Sequence, residues 1–350
     1  MEARTHRELA ARALFGALVC AAPLAYGAVD HGWQLALAAG FALALWVRPP
    51  QWPRLPRWLL VLGSVVLALL VLKEFSPAGW IGIPRWRDIV ENGFGYELGW
   101  TFAASPARSF YALLSVVLAI LWVVWVRALA ASGSGAQAVL GLVVVSALLV
   151  AAASLLMQRL GVESIYGIRE VPGWQGFGPF PNRNHTACLI AMGAATAAGL
   201  VWHALARRRS LLAVAWGCAA VMLGLAVLAS RSRGGMLAYC CGLGVLGLIV
   251  IVRSRRRVAA LGVASALALL GGAALLFFGR GLLRRFVVPA EGGDWGAGGR
   301  LAIWPEVIGY WLDSPWLGHG LGAFRGTFPF YQEQWMDNKL VIHPESSWLQ

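Results

Sequence analysis

Long apolar runs separated by short polar segments make up most of this chain. The runs fall at about 9–29, 33–47, 58–72, 109–129, 136–157, 185–205, 210–230, 236–252 and 258–279. A helix of about 20 residues crosses the hydrocarbon core of a bilayer, and roughly 17–25 residues is the usual range. The pattern therefore predicts an all-α polytopic membrane protein with about nine transmembrane helices.

Three polar segments between and after these runs are long enough to carry a function, namely 73–108, 158–184 and 280–350. Alternation of the nine runs puts all three on the same side of the membrane. We therefore expect a transmembrane helical bundle over 1–279 and a large loop segment over 280–350.

The loop segment contains one amphipathic pattern at helical spacing. Its apolar positions are Trp304, Val307, Ile308, Trp311 and Leu312. Proline is tolerated in the first turn of a helix, so Pro305 predicts a helix that begins near Leu301. We expect this helix to lie flat on the outer membrane face or against the bundle.

Composition supports a membrane protein: 59% of the 350 residues are hydrophobic and 13% are charged. Soluble domains carry about 25% charged residues. All five cysteines lie inside apolar runs and none forms a metal-ligand spacing, so they are interpreted as small apolar residues.

The net charge of +13 is distributed unevenly along the chain. If the N-terminus is cytoplasmic, the inside segments hold 14 of the 29 basic residues and two of the 16 acids. This is the bias that orients membrane proteins. The excess of positive charge therefore predicts topology, with the N-terminus inside, rather than nucleic-acid binding, which requires basic residues on one folded face.

The apolar interiors of the runs contain no Asp, Glu, Lys or Arg. Proton- or cation-coupled transporters normally keep such residues at mid-membrane, so this class is disfavoured. Charge is concentrated at the outer ends of the helices instead. That distribution favours a site at the outer interface, for a substrate with a lipid tail and a polar head.

Arginines at three outer positions are candidates for phosphate binding. Arg231 and Arg233 lie in a glycine-containing turn, and the planar guanidinium matches phosphate oxygens. The alternative is that both contact lipid headgroups. Arg300 precedes the amphipathic helix, whose free N–H groups suit an anion, and a capping or headgroup contact is the alternative there.

Two further polar stretches carry candidate residues. Asn182, Arg183 and Asn184 precede an apolar run and are candidates to line a polar headgroup site, although Asn184 could simply cap the helix. His343 could remove a proton from a sugar hydroxyl, with Glu345 orienting it. A polar surface histidine is the alternative.

Four stretches of the chain form an ordered set of motifs. They are Gly178-Pro179-Phe180-Pro181-Asn182-Arg183-Asn184, similar to a Gly-x-Phe-x-Asn-x-Asn motif; Ser232-Arg233-Gly234; Gly299-Arg300 with Trp304 and the Asp313-Ser314-Pro315 to Phe324 block; and His343. In this order they resemble the O-antigen ligase and O-antigen polymerase (Wzy-type) superfamily of bacterial membrane glycosyltransferases. The stretches lie within about 178–343, a span of about half of the chain.

The resemblance implies a metal-independent transfer of a glycan from undecaprenyl diphosphate to an acceptor hydroxyl, with no cofactor, at the periplasmic face of the bacterial inner membrane. By the same resemblance Arg233 and Arg300 would bind the diphosphate and His343 would activate the acceptor. The family continues with further membrane helices after the histidine, so we expect 280–350 to be a truncated segment.

Several functions remain open from the sequence. Ligation to a lipopolysaccharide core, polymerisation of repeat units and transfer to protein differ in the acceptor, which variable outer loops would recognise. A small-anion transporter, for bicarbonate for instance, is an alternative of another class, and an inert membrane scaffold is a third.

Overall fold

The computed structural model describes residues 2–50, 56–171, 174–253, 297–316 and 318–333. Within these ranges the chain is helical, apart from turns and two isolated bridges. The α-helices are α1 (Glu2–Leu24), α2 (His31–Val47), α3 (Arg57–Phe75), α4 (Ala78–Ile81), α5 (Arg85–Asp88), α6 (Pro106–Leu129), α7 (Gly133–Leu160), α8 (Arg183–Ala206), α9 (Ser210–Ala229), α10 (Arg233–Arg253), α11 (Ala297–Asp313) and α12 (Phe324–Thr327).

The first eight apolar runs each coincide with one long helix. In the described part of the chain, five helices, α6 to α10, are long and apolar enough to cross a membrane. The helix α2 is apolar but shorter, at 17 residues. The all-helical class is therefore confirmed for the described residues, and the five helices are consistent with a multi-pass membrane protein. The ninth run, 258–279, lies outside the described residues, so the count of nine stays a prediction.

The chain forms two compact units. Unit 1 comprises Met1–Gln51 and Val124–Leu283, and unit 2 comprises Trp52–Val123 and Arg284–Gln350. The predicted division between 1–279 and 280–350 is a division by membrane location, which this grouping by contacts does not test.

Small residues allow the helices of unit 1 to pack closely. The core contains Val144, Ala147, Ile190 and Leu223, all without solvent exposure. A Cβ at Gly193 on α8 would overlap the Ala147 side chain on α7, so only glycine permits this approach. Close approach through small residues is how membrane helices associate where lipid removes the hydrophobic driving force.

Contacts at the two ends of unit 1 agree with alternating helices. At the end that we call the distal end, Tyr166 donates a 2.8 Å hydrogen bond to the Leu24 carbonyl, so the α7–α8 segment meets the end of α1. At the opposite, proximal end, Gln137 and His203 are hydrogen-bonded at 2.9 Å, which joins the start of α7 to the end of α8. Alternation predicts both groupings.

In unit 2, the segment after α3 pairs with residues 99–103. Phe102 N donates to Ser76 O at 2.8 Å, and Ala103 N donates to Glu74 O at 3.2 Å. The buried Arg87 on α5 donates to the carbonyl oxygens of Thr101 and Gly99 and to the Glu91 carboxylate. The segment 73–108 is thus an ordered structure with short helices, hydrogen-bonded back to the end of α3.

Two details predicted for the amphipathic helix are wrong. The helix α11 begins at Ala297, not near Leu301, and Pro305 is its ninth residue rather than part of its first turn. The proline removes one backbone hydrogen bond. Burial of apolar side chains beside it, Ile303 and Val307, offsets that loss.

The buried face of α11 also differs from the predicted stripe. The buried side chains are Ile303, Val307 and Tyr310, and only Val307 belongs to the predicted set. Trp311 and Leu312 are 52% and 60% exposed. The helix is apolar on two faces. Aromatic side chains from α12 and the following 3-10 helix, Phe328–Tyr331, cover the face with Ile303, Val307 and Tyr310.

Candidate functional site

Two helix starts meet at the distal end of unit 1. The side chain of Asn182 caps α8 by accepting a 2.8 Å hydrogen bond from Asn184 N. The prediction that Asn184 could cap this helix is wrong, because α8 begins at Arg183, two residues earlier than the apolar run. The Asn184 side chain takes no part in capping and faces α10 instead. Its Oδ1 accepts a 2.7 Å hydrogen bond from Ser232 Oγ.

Ser232 has the same capping role for α10. Its hydroxyl accepts a 3.1 Å hydrogen bond from Gly235 N while donating to Asn184. A Cβ at Gly235 would overlap Ala187 on α8, so glycine is required for this close approach. The first turns of α8 and α10 therefore lie side by side, joined by two polar residues that belong to separate motifs in the sequence.

The turn before α8 is fixed by a second glycine. Gly178 has φ +90°, a conformation that side chains other than glycine rarely adopt. A Cβ there would overlap Thr186 Oγ1 in the first turns of α8. The neighbouring Phe177 is buried in the core of unit 1. The glycine of the Gly-x-Phe-x-Asn-x-Asn pattern is thus explained by a turn that packs tightly against the helix that follows it.

Arginines flank this junction. Arg183 and Arg233 are the first residues of α8 and α10, and both side chains are half-buried. Arg231 is exposed and has φ +53°, which turns the chain sharply between α9 and α10. Helix starts carry partial positive charge and free N–H groups. Two helix starts and three guanidinium groups make this junction suited to an anion.

The α7–α8 segment is braced against the α1–α2 connection at the same end. Arg169 forms a two-pronged ion pair with Asp30 and lies 4.9 Å from the Tyr26 ring centroid. The hydrogen bond from Arg169 holds the pKa of Asp30 below its usual range. Burial raises the pKa of Tyr166 to about 12, so its phenol remains a proton donor to the Leu24 carbonyl.

Unit 2 has its own polar junction, built around the carboxylate of Glu74. This side chain has no solvent exposure. Its Oε2 accepts a 2.6 Å hydrogen bond from Ser109 Oγ, and its Oε1 accepts a 3.0 Å hydrogen bond from Leu321 N. Lys73 Nζ lies 3.1 Å from Oε1. Glu74 was not among the residues that the sequence predicted, and a Lys-Glu pair at the end of an apolar run was its only visible signal.

The turn that Glu74 contacts is the glycine-rich part of the Asp-x-Pro block. Gly318, Gly320 and Gly322 have φ of +63°, +107° and +69°. His319, 4% exposed, donates from Nε2 to the Tyr310 carbonyl at 2.5 Å and stacks on the Tyr310 ring. Three left-handed residues allow the turn to present Leu321 N to Glu74 and His319 to α11.

The aspartate of the same block links three elements of unit 2. Asp313 Oδ2 accepts hydrogen bonds from Tyr331 Oη at 2.6 Å and from Arg85 N at 3.1 Å. Burial is the main cause that raises the pKa of Tyr331, and the hydrogen bond to Asp313 adds to it. Burial lowers the pKa of His319. Asp313 therefore has a structural contact that accounts for its place in the motif.

The remaining predicted site residues are only partly placed. The backbone of Arg300 belongs to the first turn of α11 in unit 2, and its side chain lies outside the described part. His343 and Glu345 lie outside the described residues altogether. Asn182, Asn184, Arg231 and Arg233 are brought together in unit 1. No cluster of three or more potential metal ligands occurs among the described residues.

Comparison with known proteins agrees with the motif pattern. Residues 218–350 match the family model Wzy_C, described as O-antigen ligase, and this region includes Ser232, the Asp313 block and His343. No curated protein and no solved structure matches the chain. Members of this family are membrane glycosyltransferases and ligases, which supports the prediction that this protein is an enzyme. Residues 218–350 thus carry a Wzy_C domain, and this match supports the resemblance of the chain to the O-antigen ligase and Wzy-type superfamily.

Proposed function

We propose that the protein transfers a glycan from an undecaprenyl-diphosphate donor to an acceptor hydroxyl, as an O-antigen ligase-like enzyme of lipopolysaccharide or exopolysaccharide assembly. The observation that carries this proposal is the Asn184–Ser232 hydrogen bond, which joins the starts of α8 and α10. It concentrates guanidinium groups and helix N-termini at one end of the bundle. A lipid-linked diphosphate is an anion held at that level by its own lipid tail.

The transfer requires stabilisation of the negative charge that develops on the departing diphosphate. The acceptor oxygen attacks the anomeric carbon, the bond from that carbon to the phosphate oxygen breaks, and the polyprenyl diphosphate leaves with the electron pair. We assign Arg233 to the departing phosphate oxygens, which its fork of N–H donors matches, and Arg300 is a second candidate for binding the diphosphate. Arg231, Asn182 and Asn184 surround the headgroup.

The Asn184 amide is oriented for such a role. Because Oδ1 accepts from Ser232, the two N–H donors of Nδ2 are directed elsewhere, and no acceptor among the described residues takes them. A phosphate or sugar oxygen would satisfy both donors. His343 takes the proton of the acceptor hydroxyl as general base, and Glu345 orients the imidazole.

The proposed location is the bacterial inner membrane, with the N-terminus in the cytoplasm and the distal end in the periplasm. The clusters at 207–209 and 253–257 support this orientation, because short basic loops stay cytoplasmic. Arg231 and Arg233 lie at the opposite end, against that bias. A requirement for these arginines in binding accounts for their position. The reaction is proposed to need no metal or cofactor.

Transfer in proteoliposomes with a synthetic polyprenyl-diphosphate-linked glycan tests this function. We expect Arg233→Ala to lower the transfer rate on the order of 10²-fold, which is typical when one charge-stabilising donor is lost. Arg233→Lys should recover only part of the rate, because the ammonium lacks the planar fork. Arg300→Ala should also abolish transfer while the protein still inserts into the membrane.

The matched control is Arg209→Ala, since Arg209 also lies at a helix start but at the proximal end. It should transfer at the wild-type rate. Normal transfer by Arg233→Ala and Arg300→Ala at equal protein level would contradict the proposal. Products distinguish its variants: single transfer to a lipid core indicates a ligase, and ladders without a core acceptor indicate a Wzy-type polymerase. Arginine-dependent uptake of labelled bicarbonate without transfer would indicate an anion transporter.

A further inference from the structure

A fully buried carboxylate without an assigned role lies at the end of α3. Glu74 is the last residue but one of this helix and has no solvent exposure. A carboxylate is buried favourably only where charge and hydrogen bonds compensate the loss of water. Lys73 supplies the charge, and Ser109 and Leu321 supply the hydrogen bonds.

The partners of Glu74 come from three separated parts of the chain. Ser109 lies in the first turn of α6, which is long and apolar enough to cross a membrane, and Leu321 belongs to the glycine turn after α11. Ser109 Oγ also lies 3.1 Å from the Leu321 carbonyl oxygen. Both polar backbone groups of Leu321 thus contact the ends of α3 and α6. The turn is fixed at the level where those helices end.

The glycines show that the turn is shaped around this carboxylate. A Cβ at Gly320 would lie 3.3 Å from Glu74 Oε2, which is tighter than most real contacts. A Cβ at Gly322 would lie 3.5 Å from Arg108 Cβ, in the first turn of α6. A larger residue at position 320 would displace the backbone from the carboxylate that it binds.

The contact is transmitted from the turn to α11. His319 precedes Gly320 and donates to the Tyr310 carbonyl of α11 at 2.5 Å. Tyr310 lies on the buried face of α11 with Val307 and Ile303. Arg300 is one turn further back on the same helix, so a rigid chain of contacts connects Glu74 with the helix that carries Arg300.

We propose that Glu74 is a positioning residue for glycan transfer: it fixes the 318–322 turn, and through it α11, to the membrane ends of α3 and α6. The inference rests on the proposed function for its effect on transfer. The anchoring itself is independent of that function. Glu74 touches no reacting atom, and its effect on the reaction comes through Arg300.

Hydrogen exchange on the full-length protein in lipid nanodiscs measures the anchor directly. In Glu74→Ala the Leu321 amide loses its acceptor, so exchange of the peptide containing Leu321 should become at least about tenfold faster. Peptides from α7, α8 and α9 should exchange as in the wild type. Glu74→Gln keeps an oxygen that can accept from Leu321 N and should restore most of the protection. Glu97→Gln, an exposed acid of the same unit, is the matched control.

Transfer kinetics then measure how the anchor at Glu74 affects glycan transfer. Glu74→Ala should lower kcat/KM for the donor at least tenfold, with Glu74→Gln intermediate and Glu97→Gln unchanged. Unchanged exchange at Leu321 in Glu74→Ala overturns the anchor. Faster exchange with wild-type kinetics overturns the link to the reaction. If the wild type transfers no glycan, the proposed function fails, while the exchange result still decides the anchor.

Discussion

Glycines in this protein differ in what their missing side chain allows. Gly178 combines a left-handed backbone with a tight contact to Thr186, whereas Gly176 has φ +69° and nothing within 4 Å of the position that a Cβ would take. Both would be strained as alanine, but only residue 178 would also collide with a neighbour. The pair therefore separates backbone strain from overpacking at the start of α8.

We expect Gly178→Ala to destabilise the protein more than Gly176→Ala. Strain of about 1–2 kcal/mol applies to both, and overpacking adds about 1–3 kcal/mol at residue 178 alone. Apparent melting temperatures in detergent measure the difference. Gly217→Ala, in open space on α9, gives the baseline and should not destabilise. Equal melting temperatures for the 176 and 178 variants would contradict the role of the Thr186 contact.

Residue types and spacing predicted part of the junction between the starts of α8 and α10. The polar pattern identified Asn182, Asn184 and Arg233 as candidates, because polar groups at the ends of membrane helices are conspicuous in an apolar sequence. It did not predict that Asn184 bonds Ser232, since a contact between residues 48 positions apart depends on how α8 and α10 pack. The role of Glu74 was not predicted for the same reason, because its partners Ser109 and Leu321 are 35 and 247 positions away in the sequence.

At the scale of single elements, the sequence predicted that α11 exists but not which face it buries. An apolar spacing of three and four residues shows a helix, and α11 has such a spacing on two faces. Tyr310 was not counted as apolar, yet its ring packs in the centre of an aromatic cluster while its hydroxyl bonds Thr327. The exposed face with Trp311 and Leu312 is the one we propose to contact lipid.

The turn after α11 should be sensitive to acid through His319. Burial lowers the pKa of His319, an effect that Lys73 adds to and that Tyr310 and Asp313 oppose. Its Nδ1 is buried, with no partner among the described residues. An opened turn therefore binds a proton more readily than the closed turn. Stability of the closed turn is full above about pH 6.5 and falls as pH decreases toward the lowered pKa.

Hydrogen exchange of peptides within 318–333, corrected for intrinsic rates, measures this effect. Between pH 7 and pH 5.5 the opening should become more frequent, by at most about tenfold per pH unit. His319→Asn, which has no titrating group, should lose the pH dependence while having a lower stability at pH 7. A pH profile in His319→Asn identical to that of the wild type would assign the effect to another group.

At the scale of the whole molecule, alternation of apolar runs predicted which loops share an end of unit 1. Arg169 reaches Asp30 at the distal end, and Arg48 reaches the Ala128 carbonyl at the proximal end. These contacts establish relative sides only. Which end faces the cytoplasm is a prediction from the arginine distribution, which reflects membrane insertion rather than packing.

Membrane-impermeant maleimide labelling of single cysteines tests the absolute orientation. The five native cysteines lie in or beside apolar helices and are first replaced by alanine. Ile168→Cys, at an 80% exposed position of the distal end, should react in intact cells with a permeable outer membrane. Arg207→Cys, exposed at the proximal end, should react only after the inner membrane is opened. If the Arg207→Cys variant reacts in intact cells and the Ile168→Cys variant only after the inner membrane is opened, the junction of α8 and α10 with its arginines faces the cytoplasm. It would then lie away from a periplasmic acceptor. Labelling of both cysteines from the same side would contradict alternation itself. Residues 168 and 207 are separated by α8 alone, so a helix α8 that crosses the membrane must put them on opposite sides.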